Sequence, residues 1–327
     1  MSHPTLPTRR SALLGAALLP LAAGETLAQD SFGSFVAGVK AEARRAGISE
    51  AVLTAAFTGV APNQGVIERD RKQPESTMTW AEFRQRIVTP EKLAGARENY
   101  GREAGLLQQV EARFGVDPHV IVGIWGTESR FGAVRGNFKL VEALSTLAWE
   151  GRRGAYFRGQ LMNVLRILQA GDVTPARALG SWAGAMGQPQ FMPDSYLKFA
   201  VDFDGDGRRD IWDSKADVFG SIANYLGRSG WRAGEPWGQP VQVPSGFDVT
   251  SASRDNRRSL GEWMQAGVRR LDGRPFGRSD VQGAVLVPDR VAGGDAFMVY
   301  PNFNVIRRYN PSDFYALTVG LLADAST

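Results

Sequence analysis

From Ile121 to Gly132 the chain reads IVGIWGTESRFG, an apolar run that carries one carboxylate, Glu128, near its end. Such a run belongs in a core, and the fold that buries it must also accommodate the acid. Asp117 suits the N-cap of a helix, Pro118 suits its first turn, and Gly132 can end it. Counting back three, four and seven residues from Glu128 gives Trp125, Ile124 and Ile121, so the carboxylate shares the apolar face. It also lies in the last turn, where the negative end of the helix dipole opposes ionisation. Desolvation by Trp125 and Ile124 pushes the same way. A carboxylic acid kept protonated near neutral pH is what a general acid needs. The competing reading pairs Glu128 with Arg130 or Arg135 in a structural salt bridge, and spacing alone does not choose between the two.

The absences narrow the chemistry. No cysteine occurs, which excludes a thiol nucleophile, thiolate zinc sites, disulfides and a lipidated N-terminal cysteine. The two histidines are His3 and His119, so a multi-histidine metal site is excluded and a Ser-His-Asp engine could use only His119. Carboxylates are the remaining candidates. The formal charge is +4, or +3 once the first 28 residues with Arg9, Arg10 and Glu25 are set aside, and no Lys/Arg block stands out. Nucleic acid is therefore not an expected partner.

The opening TRRSALLGAALLPLAAGETLAQD places Arg9-Arg10 before an apolar stretch from Ala12 to Ala23, with small residues at Thr26 and Ala28. It is too short to span a bilayer comfortably and is broken by Pro20, so residues 1–28 read as a signal peptide, twin-arginine or Sec. The expected mature chain begins near Gln29, carries no membrane anchor and is soluble in the periplasm. Two helices are expected over 32–57, a polar extended passage over 61–80, a long helix from Pro90 to Phe114, and further helices over 117–131, 155–169, 175–183 and 214–227. After Trp237 the texture changes, and GAVLVPDRV and AFMVYPNFNVI alternate like short strands. The division expected is a helical domain over 29–238, a small β-containing portion over 239–304, and a last helix over 305–327 packing back.

Two further segments carry chemistry. SWAGAMGQPQFMPDSY, residues 181–196, combines glycines, glutamines, a serine and aromatics around a tight turn. Gln188 or Gln190 can donate and accept hydrogen bonds while the aromatics cover sugar faces; an ordinary loop with core aromatics is the alternative. DFDGDGRRDIWD sets Asp202, Asp204 and Asp206 at alternate positions with Gly207 at the sharp turn. These match positions one, three, five and six of an EF-hand loop, and Arg208 would offer its backbone carbonyl at seven. Position twelve is Asp213 rather than the usual Glu. Calcium is the expected ion, with an acidic surface turn as the alternative.

Taken with IWGTESRFG, GRRGAYF, SIANYLGRSGW and NFNVIRRYN, these segments resemble the lytic murein transglycosylase B family, glycoside hydrolase family 103. The resemblance runs in order from about residue 32 to the C-terminus. It implies a mainly α fold, a lysozyme-like helical catalytic domain with an EF-hand-like loop and a small β-containing subdomain, acting on peptidoglycan glycan strands. By the same resemblance Glu128 is the single acid/base glutamate, and Ser181 and Gln190 line the cleft beside it. Arg152, Arg153 and Tyr156 match an element near bound sugar or peptide, where the arginines could instead be a solvated pair. Tyr225, Tyr309 and Asn310 match groups around the reacting sugar, where Tyr225 could instead be a core aromatic. The calcium loop would close on Asp217.

Ordinary glycosidases flank the bond with two carboxylates. Glu142, Glu150 and Asp194 are available, but none sits in a comparable motif. The resemblance implies that Glu128 protonates the oxygen between N-acetylmuramic acid and N-acetylglucosamine. It then takes a proton from the C6 hydroxyl as that group closes a 1,6-anhydro ring. A hydrolytic muramidase is the near rival and a non-catalytic, calcium-stabilised glycan binder the distant one. The resemblance leaves open whether wall-synthesis enzymes are partners; a monomer is expected.

Overall fold

The structure, a computed structural model, describes residues 31–72 and 78–327. The leader expected over 1–28 lies outside the described residues. Five helices lead in: α1 (Phe32–Arg45), α2 (Glu50–Phe57), α3 (Gln64–Arg71), α4 (Trp80–Ile87) and α5 (Pro90–Phe114). Ser49, Asn63, Thr79 and Thr89 start the last four by accepting a backbone N–H with a side-chain oxygen. Gly115, left-handed at φ 65°, ends α5. α3 corrects the expectation of an extended passage over 61–80. Its eight residues hold few apolar groups, and a tertiary anchor fixes its start: the Asn63 amide donates to Glu142 and its backbone N–H to Thr146.

Next come α6 (Pro118–Ser129), β1 (Phe138–Lys139), α7 (Leu140–Glu150), α8 (Gly154–Ala170), β2 (Leu179–Gly180), α9 (Pro193–Phe199) and α10 (Lys215–Arg228). The helix expected over 175–183 is absent. The chain makes one turn from Thr174 to Ala178, then Leu179–Gly180 pairs antiparallel with Phe138–Lys139. A Cβ at Gly180 would lie 2.2 Å from the Ala185 carbonyl oxygen, a fold-back that a continuing helix does not allow.

The remainder is β3 (Gly238–Gln242), β4 (Arg257–Ser259), α11 (Leu260–Gln265), β5 (Arg269–Arg270), β6 (Gln282–Leu286), β7 (Ala296–Val299), α12 (Pro301–Tyr309) and α13 (Asp313–Ser326). The strands form one antiparallel sheet in the order β4-β6-β7-β3-β5, with Val285 opposite Met298 and Gly238 opposite Val299. Alternation decides which face each residue serves. Ala284, Leu286, Phe297 and Val299 join the helical core, while Val241, Val285 and Met298 pack with Leu260, Trp263 and Val268 on the other side. The fold is thus mainly helical with a small sheet. AFMVYPNFNVI is strand only as far as Val299, because Pro301 lacks the N–H a ladder needs and instead opens α12.

α6 lies in the helical core, packed against α5 and α13. Val120, Ile121, Val122 and Ile124 are at most 1% exposed, and each such side chain contributes about 1.5–3 kcal/mol by leaving water. Gly123 allows the closest approach: a Cβ there would meet the Val319 carbonyl oxygen of α13 at 2.4 Å. Gly123→Ala is expected to push α13 off α6 and cost about 1–3 kcal/mol, as overpacking does. A thermal melt checks this; an unchanged melting temperature would mean that the two backbones have slack.

Candidate active site

Glu128 occupies the last turn of α6, on the face that Ile124 and Trp125 share. The residue as a whole is partly exposed, while its carboxyl is buried. Burial pushes its pKa up to about 7, against a Tyr315 hydrogen bond and the Lys92 charge, which both pull it down. The Tyr315 hydroxyl donates to Glu128 Oε1 at 2.7 Å from α13, 187 residues along the chain. Neither arginine of the salt-bridge reading takes the acid. Arg135 pairs with Asp213 and donates to the Trp212 carbonyl, and Arg130 is exposed.

The helix ends at Ser129, earlier than Gly132, because Arg130 and Phe131 turn left-handed at φ 51° and 57°. With Gln190 at φ 50° they are three of the four non-glycine residues of positive φ among the described residues. Backbone strain of this kind, about 1–3 kcal/mol per residue, collects at functional sites. It is held by packing. The Phe131 ring fills the space that Gly95 of α5 and Gly126 of α6 leave, and meets Trp125 edge-on at 5.6 Å. The Trp125 indole donates to Gln188 Oε1 at 2.7 Å, and the Gln188 amide donates to the Trp212 carbonyl. Gln188 is therefore a buried strut of the site's floor.

Gln190 differs. Its amide nitrogen donates to the Gly187 and Arg135 carbonyls, which leaves its own carbonyl oxygen for another donor. Ser181 accepts the Ala185 N–H at 2.9 Å and keeps its hydroxyl proton to give. Tyr309 donates to the Pro189 carbonyl at 2.6 Å, and its ring lies 6.4 Å from Tyr315 and 4.7 Å from Tyr225. Tyr225 also meets Phe199 and Phe191 and donates to the Arg308 carbonyl, so it is both packed and polar-tipped. Burial, then the Glu128 charge, raises Tyr309 and Tyr315 well above the usual tyrosine range, so both remain hydrogen-bond donors. Asn310 is exposed and accepts the Ser312 N–H.

Arg152 and Arg153 are not a free solvated pair. Both reach Asp70 of α3, a buried acid that also fixes Arg152 through its backbone carbonyl. Hydrogen bonding to Arg152 holds the Asp70 carboxyl below its ordinary range. Tyr156 is 46% exposed on α8, and burial, then the charge of Asp194, raises its phenol above the ordinary range; burial raises Tyr225 likewise. No described contact joins Arg152 or Arg153 directly to Glu128. Sequence reasoning missed Asp70, Lys92 and Tyr315. Of these only Tyr315 left a signal, as a phenol on the same helix face as Val319 and Leu322, where a buried hydroxyl needs a partner.

In the acidic loop, carboxylate oxygens of Asp202, Asp204 and Asp217 lie within 4.8 Å of one another. Asp217 is buried at the start of α10, where it accepts the Phe203 and Asp210 N–H groups. Burial, with the charge of Asp204, pushes it up to about 6. Asp206 instead faces Arg208, and Asp213 faces Arg135 and Arg177. The loop therefore collects three of the acids expected and turns Asp206 away.

Comparison with known proteins identifies the family. A transglycosylase SLT domain model matches residues 31–324. The membrane-bound lytic murein transglycosylase B of Escherichia coli (strain K12) is 35% identical over 252 residues, 75% of this chain and 67% of that protein. SltB3 from Pseudomonas aeruginosa, solved in complex with NAG-anhNAM-pentapeptide, superposes with a TM-score of 0.86 at 43% identity, covering 91% of this chain and 80% of that one. An Escherichia coli lytic transglycosylase solved in complex with calcium gives a TM-score of 0.74 at 30% identity, covering 93% and 94%. The chain belongs to the lytic murein transglycosylase B family and is a peptidoglycan lytic transglycosylase.

Proposed function

We propose that Glu128 alone supplies both proton transfers of the reaction. Protonated, it donates to the glycosidic oxygen between N-acetylmuramic acid and N-acetylglucosamine; ionised, it takes the proton of the C6 hydroxyl as that oxygen attacks C1 and closes the 1,6-anhydro ring. The observation that carries this reading is a carboxyl that burial pushes up to about 7, with a phenol to steady its charge. A pKa near ambient pH makes both protonation states accessible. Glu142 and Glu150 are engaged by Asn63 and Arg71, which argues against a second catalytic carboxylate there. Ser181, Gln190, Tyr225, Tyr309 and Asn310 would hold the reacting sugars, and Arg152, Arg153 and Tyr156 the sugar or peptide farther along. Digestion of sacculi tests the reading: products should carry anhydro ends lighter by one water, and reducing ends would indicate hydrolysis instead.

Tyr315→Phe removes the hydrogen bond that favours ionised Glu128. Hydrogen bonds to charged groups are worth about 1.5–3 kcal/mol, so turnover is expected to fall about ten- to hundred-fold. The alkaline limb of the pH profile should move upward, since the acid then holds its proton to higher pH. Initial rates across pH check both effects.

Calcium suits the acidic loop: three converging carboxylates with, among the described residues, no cation among their hydrogen-bond partners form a hard-oxygen donor set. Asp202, Asp204 and Asp217 would hold it, and it would neutralise their mutual repulsion. Among the described residues no helix is long and apolar enough to cross a membrane. The leader read in the sequence over 1–28 supports export to the periplasm, which N-terminal sequencing of the exported protein would test.

A further inference from the structure

α5 and α6 run antiparallel, and two contacts fix their register. Tyr100 stacks on His119 with centroids 4.1 Å apart, and Gly95 and Gly126 share the Phe131 ring. Carried one turn further along α5, the same register sets Lys92 opposite Glu128. Lys92 lies on the face of Gly95 and Ala96, with its backbone N–H on the Thr89 hydroxyl at 3.3 Å. It is partly buried, and among the described residues its ammonium has no ion pair or hydrogen bond. A lysine in this position is unusual, because an unpaired, partly desolvated cation is costly without an anion to serve.

We propose that Lys92 is a positioning residue for the reaction, whose ammonium supports the ionised Glu128 that exists between the two proton transfers. The proposal rests on Glu128 being the acid and base. No bond to Lys92 forms or breaks: the proton leaves Glu128 for the glycosidic oxygen, another returns from the C6 hydroxyl, and Lys92 keeps its charge throughout. The other groups around the acid are Tyr315 from α13 and Tyr309 from α12, both neutral donors, and the charge of Arg130 acts on Lys92. Glu91, beside it on α5, is held by the Thr89 cap. Burial, then Arg130, lowers the Lys92 pKa, while Glu128 raises it. Lys92 is thus the cation that offsets the desolvation of Glu128.

The test compares wild type, Lys92→Met and Lys92→Arg by two readouts, the Glu128 carboxyl resonance across pH and the initial rate of anhydro-product release from sacculi. Lys92→Met is expected to raise the Glu128 midpoint and to displace the alkaline limb of the rate upward by about half a pH unit or more. Lys92→Arg should restore both. Coincident profiles for Lys92→Met and wild type, or an arginine variant displaced as far as the methionine one, would overturn the proposal. Failure of the underlying reading is separate: Glu128→Gln would then keep its activity.

Discussion

Glu128→Gln is expected to abolish turnover on sacculi while the protein still folds and still binds glycan. Glutamine keeps the shape of the side chain and can accept the Tyr315 hydroxyl, but it can neither give a proton nor take one back. General acid–base catalysis is typically worth about a hundred- to ten-thousand-fold, and with both transfers lost the upper end is expected. The same substitution should stabilise the fold at alkaline pH. The Glu128 pKa is raised from an ordinary 4.5 to about 7, so below 4.5 the group is protonated folded or unfolded. Between the two values the folded state alone keeps the proton, and stability declines as pH rises; above about 7 the full cost is present, about 3 kcal/mol at most. Glu128→Gln should therefore melt higher than wild type at pH 8 and no higher at pH 4. Retained activity above about a tenth would falsify the assignment.

Calcium is expected to raise the melting temperature without entering the chemistry. The carboxylates proposed to hold it, Asp202, Asp204 and Asp217, lie on the loop before α10 and at that helix's first turn, and among the described contacts none of them touches Glu128. An ion at a hundred times its dissociation constant stabilises by about 2.7 kcal/mol, which in a domain of this size is a shift of about 5 °C. A chelator should remove that shift, and Asp204→Ala, which leaves the buried Asp217 in place, should make the protein indifferent to the chelator. Initial rates of the calcium-loaded enzyme and of folded Asp204→Ala should agree. A melt that ignores calcium, or a rate that follows it, would count against a purely structural ion.

Local pattern made α6 readable. Asp117, Pro118 and the i−3, i−4 neighbours of Glu128 are all within one segment, so both the helix and the acid's apolar face could be argued from spacing. Lys92 and Asp70 could not, and Tyr315 could be read only as a buried phenol in need of a partner. Each is placed by tertiary packing, and nothing near Lys92 in sequence says that α5 packs against α6. α3 was missed for a related reason, since Asn63 is anchored by Glu142 and Thr146 on α7. At Gly180 and Pro301 the misreading was local: a helical pattern ran into a fold-back that glycine permits, and a strand pattern ran across the proline that starts α12. In the acidic loop the alternate aspartates were legible, yet Asp206 pairs with Arg208 two residues on, a competition that ligand spacing does not register.

The most direct test is to titrate the Glu128 carboxyl itself, by carbon NMR of selectively labelled protein, alongside the pH dependence of anhydro-product release. The expected result is a midpoint near 7 that coincides with the alkaline fall in rate and disappears from the spectrum in Glu128→Gln. A midpoint near 4.5, or a rate that persists unchanged well above the measured midpoint, would contradict a buried acid kept protonated for the glycosidic bond.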